Sequence, residues 1–360
     1  MRIAVIGATG NVGTAVLRRL HRAAVERKET GGEPLSVTGV ARRAPDPAVA
    51  PYRGVDWHML DVGTDSGRAQ LTAVLEGVDA VVHLAWAIQP NRNEAAMYRT
   101  NVTGTSNVLR AAADAKVQQV VCASSVAAYS AADKDSRTDE SWPTAGIPTS
   151  HYSRQKAEQE RLLDRFEADH PERTVARLRP GLIFQPEAGS EIGRYFLGPF
   201  IPKLVLGRIP LPLIPLPAQL IFQAVHADDV ADAYWRVVKQ RASGPFNIAA
   251  EPEITPARLA AVLGARRVLN IPVPLLRAVV AVSWAAGLQR TDPGWIDLAA
   301  LVPVMDTSRA RTLLGWSAEH SSRDTLTAVL DGLRTGNGLK GSPTLYPRRV
   351  APGRRSSAQQ

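Results

Sequence analysis

Short predicted strands and helices alternate along the first half of the chain, and this alternation predicts an α/β fold built on a doubly wound parallel sheet. A glycine-rich segment, Gly7–Gly13, directly follows the first predicted strand and opens a helix. Val78–Ala85 is a nearly continuous apolar run, as a strand buried on both faces should be. Crossovers in such sheets are right-handed, and ligands bind at the carboxyl ends of the strands. Site residues are therefore expected at that edge.

Each element of the first half has its own pattern. Apolar residues spaced by three and four, namely Val12, Ala15, Val16 and Leu20, predict the first helix. The predicted strands are Arg2–Gly7, Leu35–Ala41, Val78–Ala85, Val117–Ala123 and Thr174–Leu178. The predicted helices are Asn11–Arg27, Asn93–Ala115 and Ser150–Asp169.

The pattern changes after Arg179. Six prolines lie between positions 199 and 217, among leucines and isoleucines and with almost no charge. Proline excludes a long helix there, and the apolar composition of Phe196–Phe222 predicts a packed loop or lid rather than a linker. The elements predicted beyond it are a helix at His226–Gln240, a strand at Pro245–Ala249 and a helix at Thr255–Leu263.

The composition excludes several classes of protein. With 360 residues, 45% apolar and 21% charged, the chain is not disordered as a whole. Its one cysteine, Cys122, excludes a disulfide framework and a cysteine-based zinc site. The best candidate for a membrane span, Ala278–Leu288, has 11 residues including Ser283, whereas a span needs about 20. Because Met1–Ile6 has the pattern of a strand rather than of a signal peptide, a cytoplasmic protein is expected.

The formal charge of +9 raises the question of a nucleic-acid partner. One group of basic residues lies on the first predicted helix, together with two glutamates. The sequence has no basic stripe interleaved with aromatic residues and no nucleic-acid-binding motif, so no nucleic-acid partner is expected. A second group of four basic residues lies within the last 13 positions: Arg348, Arg349, Arg354 and Arg355.

The spacing G-x-x-G-x-x-G in Gly7–Gly13 predicts a phosphate-binding loop in a Rossmann-type fold. The glycines permit a tight turn and a close backbone approach to a pyrophosphate, whose charge the helix N-terminus favours. Arg42 and Arg43 stand where arginine accommodates the 2′-phosphate of NADP, and no acid suited to the ribose of NAD precedes Asp46. NADP is therefore favoured over NAD, the alternative being that both arginines only face solvent. Asp61 stands where a third strand should end, and we expect it near the adenine.

Tyr152 and Lys156 are four residues apart and hence on one face of the predicted helix Ser150–Asp169. We expect the lysine to lower the pKa of the tyrosine, and a tyrosine so tuned passes a proton to or from a substrate oxygen. Ser124 and Ser125 end a predicted strand at the carboxyl edge of the sheet. These groups should therefore project into one crevice with a nicotinamide.

Eight motifs follow one another in a specific order. They are Gly7–Gly13, His83–Ala85, Asn101–Thr105, Ser124–Tyr129, Tyr152–Lys156, Arg179–Gly181, His226–Ala231 and Asp306–Trp316. With this ordered set the chain resembles the extended short-chain dehydrogenases/reductases, of the NAD(P)-dependent epimerase/dehydratase superfamily, from Met1 to about Gly336. The resemblance implies an enzyme with a nicotinamide cofactor.

The resemblance also implies roles for individual residues. Tyr152 is implied as general acid/base, Lys156 as its activator and as a ligand of the nicotinamide ribose, and Ser125, rather than Ser124, as the residue that orients the substrate. For Asn101 a structural and a site role are equally open. The implied cofactor-binding residues are Gly7, Thr9, Gly10, Asn11, Val12, Gly13, Arg42, Arg43, Asp61, Val62, Leu84, Ala85, Tyr152, Lys156 and Pro180.

Three segments form the predicted domain organisation. A dinucleotide-binding domain covers residues 1–178 and is completed by about 222–249. A substrate-binding lobe takes 179–221 and 250–336, and 337–360 is predicted to be a basic, disordered tail. For His226 and Asp228 a structural role in the second lobe is favoured over a catalytic one.

The substrate class is the least determined feature. Sugar-nucleotide members of the superfamily commonly carry an asparagine near the pattern Arg179–Phe184, and it is absent here. The apolar segment Phe196–Phe222 offers only Lys203 and Arg208 as cations for a diphosphate, and no acid follows Ser125 as a dehydratase would want. We expect interconversion of a carbonyl and a secondary alcohol on a small apolar substrate. The alternatives are a sugar-nucleotide epimerase or dehydratase and a non-catalytic NADP-binding regulator.

Three expectations concern metals and partners. No metal is needed for this chemistry, and the histidines show no ligand spacing. The resemblance implies a homodimer formed through the helices at 93–115 and 150–169. Pro274–Leu288 is apolar, with Arg277 and Arg290 near its margins, and a buried helix of the second lobe is favoured over a peripheral membrane contact.

Overall fold

The computed structural model describes residues 1–89, 92–196 and 211–347. Its strands are β1 (Arg2–Ile6), β2 (Ser36–Ala41), β3 (Asp56–Met59), β4 (Ala80–His83), β5 (Gln119–Ala123), β6 (Arg137–Thr138), β7 (Thr174–Pro180), β8 (Leu182–Phe184), β9 (Ile214–Leu216), β10 (Ala224–His226), β11 (Gly244–Ile248), β12 (Val268–Asn270) and β13 (Val304–Met305). Its helices are α1 (Asn11–Glu29), α2 (Asp65–Val74), α3 (Glu94–Tyr98), α4 (Gly104–Asp114), α5 (His151–Asp169), α6 (Gly189–Phe196), α7 (Ala227–Gln240), α8 (Pro256–Val262), α9 (Val273–Ala285), α10 (Gly294–Leu301), α11 (Ser308–Leu314) and α12 (Ser322–Thr335).

The predicted doubly wound sheet is confirmed. Seven strands pair in the order β11-β7-β5-β4-β1-β2-β3, and every neighbouring pair is parallel. β1 lies between β2 and β4, so the strand order reverses beside it. A crevice at this reversal, outside the carboxyl ends of the strands, is where open α/β sheets bind their ligands.

Apolar residues cover both faces of this sheet. On one face, side chains of α1 and α7, such as Leu17 and Tyr234, pack with Val5 of β1. On the other face, side chains of α4 and α5, such as Leu109 and Leu163, pack with the opposite side of the strands. The strands are therefore buried on both sides, which explains the continuous apolar runs in the sequence.

The helix predicted at Asn93–Ala115 is interrupted. It consists of α3, a π-helical segment at Arg99–Thr103, and α4. The π segment carries Asn101, whose side chain accepts a hydrogen bond from the amide of Ala87 (2.6 Å) and donates one to its carbonyl oxygen (2.9 Å). Single π turns inside α-helices frequently occur at functional sites, and this one anchors the loop that follows β4.

The second half follows the predicted elements closely. The helix predicted from His226 begins one residue later because the His226 imidazole caps it, accepting from the amide of Asp228 at 3.2 Å. This cap is a structural role, as favoured for His226. The helix predicted at Thr255–Leu263 is α8, with Thr255 as its N-cap.

The disordered tail predicted for 337–360 is wrong for its first part. The Ser342 hydroxyl donates to the carbonyl oxygen of Thr9 (3.2 Å), and the amide of Asp46 donates to that of Gly341 (2.9 Å). Leu345 is fully buried. Residues 337–347 are thus packed against the glycine loop and the loop after β2, because a serine, a glycine with φ +84° and a leucine fit there. The rest of the tail, 348–360, lies outside the described residues.

Two predictions about apolar segments have different outcomes. Most of the predicted lid, 197–210, lies outside the described residues, and the part beyond it forms β9, which pairs with β12. The helix predicted to be buried at Pro274–Leu288 corresponds to α9, and it has no buried residue. Among the helices in the described ranges, none is long and apolar enough to cross a membrane. The division into domains stays a prediction.

Candidate active site

The loop between β1 and α1 is built so that two of its glycines cannot be replaced. Gly7 has φ +88°, and a Cβ there would lie 2.7 Å from the amide nitrogen of Ala85. A Cβ on Gly13 would lie 2.3 Å from the carbonyl oxygen of Gly7. These contacts hold the glycine loop against the end of β4 and against the first turn of α1. Ala85, which is one of the predicted cofactor-binding residues, is therefore adjacent to the loop.

The first turn of α1 meets the requirements of a phosphate site. Gly10 is the N-cap and offers no side-chain cap, so the first amides of the helix receive no hydrogen bond acceptor from it. A Cβ on Gly10 would meet only the carbonyl oxygen of Gly7, at 3.4 Å, so the loop is open on that side. The Asn11 side chain is occupied elsewhere, since it donates to the carbonyl oxygen of Ile183 (3.1 Å) and accepts from Gln185 (2.6 Å). Its backbone carbonyl oxygen also accepts from Gln185 (2.8 Å), so the backbone amide is the group that this residue has left for a ligand.

The residues predicted to bind the adenosine half lie beyond β2 and β3. Arg42 and Arg43 directly follow β2, are exposed, and form no ion pair within the described residues. Asp61 follows β3 and accepts from the amide of Gly63 at 2.9 Å. Val62 is buried, and its carbonyl oxygen accepts from Asn107 at 2.8 Å.

The remaining predicted cofactor residues lie at the ends of neighbouring strands. The amide of Leu84, just after β4, donates to the carbonyl oxygen of Ile6 (2.7 Å). Pro180 is buried at the end of β7. Thr9 is in the glycine loop, and its carbonyl oxygen is already bonded to Ser342. The predicted residues therefore form one edge of the sheet.

Tyr152 and Ser125 meet at this edge. Ser125 follows β5 and caps the short 3-10 helix Val126–Ala128, accepting from the amide of Ala127 at 3.1 Å. Its hydroxyl also interacts with that of Tyr152. Burial raises the pKa of Tyr152, and the interaction with Ser125 opposes the rise.

Lys156 lies one turn further along α5 and is buried. Its ammonium donates to the carbonyl oxygen of Ala123 (2.7 Å) and to Gln159 (3.0 Å), and it lies 3.5 Å from the centre of the Trp86 ring. Burial lowers the pKa of Lys156 to about 7. The expectation that this lysine lowers the pKa of Tyr152 is wrong in this structure, because burial dominates and the lysine is itself only partly charged near neutral pH.

Ser124 points away from Tyr152 and belongs to a buried ionic cluster. Its hydroxyl donates to Glu160 at 2.5 Å, and the guanidinium of Arg179 donates twice to the same carboxylate, at 2.8 and 2.9 Å. Arg177 lies 3.2 Å from it. Burial alone would raise the pKa of Glu160, but Arg179, Arg177 and Ser124 hold it below its usual value. Glu160 is therefore a charged structural anchor, and of the two serines only Ser125 faces the tyrosine.

Two tryptophans that sequence reasoning missed enclose Tyr152. Trp86 meets it edge-on, with ring centres 5.9 Å apart, and Trp295 of α10 lies 5.1 Å away. Leu298 and Val302, also in the second half, belong to the same apolar cluster. Trp86 directly follows the predicted residues Leu84 and Ala85 and was detectable from its position; Trp295 had no local signal.

Other candidates fall into structural roles. The hydroxyl of Tyr129 is buried and donates to Asn247 (2.7 Å). Cys122 is buried, and burial raises the pKa of its thiol to about 12. Asn101 holds Ala87 and also donates to Gln155 (2.8 Å), so it positions the loop that carries Trp86.

Comparison with known proteins agrees with this arrangement. The model of the "NAD dependent epimerase/dehydratase family" matches residues 3–249. An uncharacterized protein of Mycobacterium tuberculosis is 28% identical over 337 residues, which is 91% of this chain but 30% of that protein. The chain thus spans less than a third of the length of these curated relatives.

Two relatives that match only about a third of this chain have names that specify an activity. A 4-hydroxy-2-methyl-3-oxo-4-farnesyl-3,4-dihydroquinoline-1-oxide ketoreductase of Stigmatella aurantiaca is 32% identical over 123 residues, 34% of this chain and 36% of the relative. The human sterol-4-alpha-carboxylate 3-dehydrogenase is 31% identical over 127 residues, 35% of this chain and 34% of the relative.

Solved structures share the fold. A dTDP-glucose 4,6-dehydratase from Streptomyces venezuelae with bound NAD has a TM-score of 0.66 at 21% identity, covering 93% of this chain and 97% of its own. A Thermus thermophilus UDP-glucose 4-epimerase in complex with NAD has a TM-score of 0.65 at 20% identity, covering 93% and 99%. At this identity the likeness establishes the fold alone.

Proposed function

Since the chain belongs to the NAD dependent epimerase/dehydratase family, we propose that it is an oxidoreductase of the extended short-chain type. It interconverts a carbonyl and a secondary alcohol on a small apolar substrate. The observation that carries this proposal is the surroundings of Tyr152: a hydroxyl partner, Ser125, on one side and the rings of Trp86 and Trp295 on the others.

The chain's residues suit a nicotinamide dinucleotide. The cradle at Gly7, Gly10 and Gly13 would receive the pyrophosphate, because it combines open space with uncapped helix amides. Arg42 and Arg43 are exposed cations without ion-pair partners in the described residues, which supports NADP over NAD. When bound, the dinucleotide supplies or accepts the hydride.

Tyr152 handles the proton. During reduction of a carbonyl, its hydroxyl gives a proton to the oxygen that becomes the alcohol, and in the opposite direction it takes that proton back. Ser125, whose hydroxyl interacts with that of Tyr152, orients the same oxygen. Lys156 is buried beside this pair, and its pKa of about 7 leaves it partly charged near neutral pH. In its charged form the ammonium stabilises the negative charge that develops on the phenol.

The lining near Tyr152 favours an apolar or aromatic substrate. Trp86, Trp295 and Leu298 present rings and methyl groups rather than charge, and sites of this kind bind by burying apolar area. The indole nitrogen of Trp86 is buried and has no hydrogen-bond partner in the described part of the chain. It is a ready donor to one ligand oxygen. Two relatives whose names specify a farnesylated quinoline and a sterol carboxylate support the same substrate class.

Calorimetry on the NADPH-loaded protein tests the substrate class. A series of ketones of increasing apolar area should bind with rising affinity. The affinity should rise about tenfold or more each time the buried apolar area increases by that of one large apolar side chain. Trp295→Ala should weaken the large ketones most, and Trp142→Ala, which replaces an exposed tryptophan elsewhere, should leave the series unchanged. Binding of a UDP- or dTDP-sugar without any binding of ketones would overturn the proposal.

The second candidate is a sugar-nucleotide epimerase or dehydratase. It is favoured by the solved structures of the same fold, whose names specify UDP- and dTDP-sugar enzymes. It needs cations that hold a diphosphate close to Tyr152. Titration with UDP alone, with NADPH bound, separates the two candidates, because only a sugar-nucleotide site binds the nucleotide diphosphate by itself.

A further inference from the structure

α9 is apolar on nearly all sides, and its most exposed residues are apolar. Among its thirteen residues the polar ones are Arg277 and Ser283, and both are partly buried. The guanidinium of Arg277 pairs with Asp297 of α10 at 2.9 Å, and the Ser283 hydroxyl donates to the carbonyl oxygen of Val279 at 2.9 Å. A surface helix ordinarily turns such residues to water and its apolar stripe to the core. On α9 the most exposed positions are apolar instead.

The outward stripe of α9 is apolar throughout. Leu275 is 53% exposed, Val279 59% and Val282 70%, and their spacing of four and three places them on one face. Leu288, 52% exposed, follows the helix, and Leu269, 48% exposed, precedes it. Contiguous apolar surface of this kind marks an interaction site.

The surroundings of this stripe are basic. No aspartate or glutamate occurs between Ile254 and Thr291, whereas five arginines do: Arg258, Arg266, Arg267, Arg277 and Arg290. Arg266 and Arg267 are exposed and have no ion-pair partner among the residues described. Arg267 is two residues from Leu269 in an extended segment, so the two side chains lie on the same side of the chain.

We propose that the outward face of α9, with Leu269, Leu288, Arg266 and Arg267, docks on an anionic lipid bilayer. The apolar stripe enters the boundary between headgroups and acyl chains, and the arginines contact the acidic headgroups. Charge selects this occupant over a second copy of the chain, because two such faces would bring unpaired arginines together without an acid to neutralise them. The attachment is peripheral, since α9 with thirteen residues is too short to span.

Flotation of the full chain with vesicles is the first experiment. The protein should float with vesicles of phosphatidylcholine and phosphatidylglycerol in equal parts and stay behind with phosphatidylcholine alone, and added salt should release it. Val279→Asn and Val282→Asn should each weaken partitioning about tenfold. Arg266→Gln and Arg267→Gln should each weaken it about fivefold at low salt.

Two controls isolate α9. Val25→Asn changes a valine of similar exposure, 58%, on the basic helix α1 and should have no effect. Replacement of the four arginines between positions 348 and 355 with glutamine tests the C-terminal tail and should leave most of the binding. All these positions are exposed or terminal, so folding should be retained, as circular dichroism will verify.

A fluorescent label gives a direct readout that does not depend on activity. The only native cysteine, Cys122, is fully buried, so V282C and V25C each provide one accessible thiol. An environment-sensitive dye at V282C should shift to the blue on anionic vesicles and be quenched by nitroxide lipids, whereas the dye at V25C should not. The proposal is overturned if V282C shows no shift, if only the tail variant loses binding, or if the V282C dye is already shielded in a dimer without vesicles. None of these three results bears on the proposed oxidoreductase.

Discussion

Helix α5 carries two polar sites that lie one turn apart and differ in the charge of the residues around them. At Tyr152 and Lys156 the partners are uncharged: a serine, a carbonyl oxygen, a glutamine and an indole ring. At Glu160, two arginines and a serine surround one carboxylate. The first pair is shifted toward its neutral forms, whereas Glu160 stays ionised. Groups left with neutral partners are ready to exchange protons, and groups with full counter-charge hold the structure.

Removal of the phenol at the first site should have the largest effect. Tyr152→Phe is expected to lower turnover by 10²–10⁴-fold, as loss of a general acid/base does, with the free energy of unfolding close to that of the wild type. Steady-state rates and urea unfolding measure the two quantities. The matched control is Tyr129→Phe, at a phenol that bonds to Asn247 and Arg179: it should lower stability and keep turnover. Equal turnover loss in both variants would contradict the assignment.

Removal of charge at the second site should act on stability. Glu160→Gln leaves Arg179 buried without a carboxylate and should lower the free energy of unfolding by about 3–5 kcal/mol. Arg177 is less affected because it also pairs with Asp164. Glu158→Gln, which breaks an exposed pair with Arg161, should cost below about 1 kcal/mol. Similar urea midpoints for the two variants would show that the buried cluster is not an anchor.

Lys156 should make stability depend on pH. The pKa of Lys156 is about 7 in the folded protein, whereas in the unfolded chain it returns to the usual lysine value of 10.5. Between these values the unfolded state binds more protons, so this group's contribution raises stability as pH increases. Lys156→Met removes this titrating group. The free energy of unfolding of the variant should exceed that of the wild type at pH 7, and this difference should shrink as pH rises, by at most about 1.4 kcal/mol per pH unit. Parallel stability–pH curves for the two proteins would contradict the burial of a titrating lysine.

Replacement of Arg42 should have the smallest of these effects, and it should change only the preference between NADPH and NADH. Its guanidinium has no acidic partner in the described residues, unlike that of Arg179. Arg42→Ala should weaken NADPH about ten- to a hundredfold and leave NADH unchanged, since charge-assisted bonds contribute roughly 1.5–3 kcal/mol. Arg22→Ala on α1 is the control. Titration of nicotinamide fluorescence decides, and equal affinities of the wild type for both cofactors would defeat the prediction.

The parts of the site that were predictable depend on short stretches of chain. The glycine loop, and the placement of Tyr152 and Lys156 on one helical face, follow from residues within one or two turns of each other. The choice of Ser125 over Ser124 came from the family resemblance, and the structure separates the two by their partners, Tyr152 and Glu160.

The features that were missed depend on distant residues. Trp295 of α10 contacts Tyr152 of α5 across a long stretch of chain, and Ser342 contacts Thr9 across 333 positions. The raised pKa of Tyr152 depends on burial, which spacing alone does not report. The exposed apolar face of α9 was not predictable either, because an apolar helix is normally a buried one.

Net change in nicotinamide absorbance tests the central claim most directly. NADPH is mixed with the protein and either a hydrophobic ketone or a UDP-sugar, and the absorbance is followed to completion. An oxidoreductase consumes one NADPH per ketone reduced, so the absorbance should fall with the ketone, stay constant with the sugar nucleotide, and stay constant with Tyr152→Phe. Conversion of the UDP-sugar to its epimer at constant absorbance, with no consumption of NADPH on any ketone, would contradict the account.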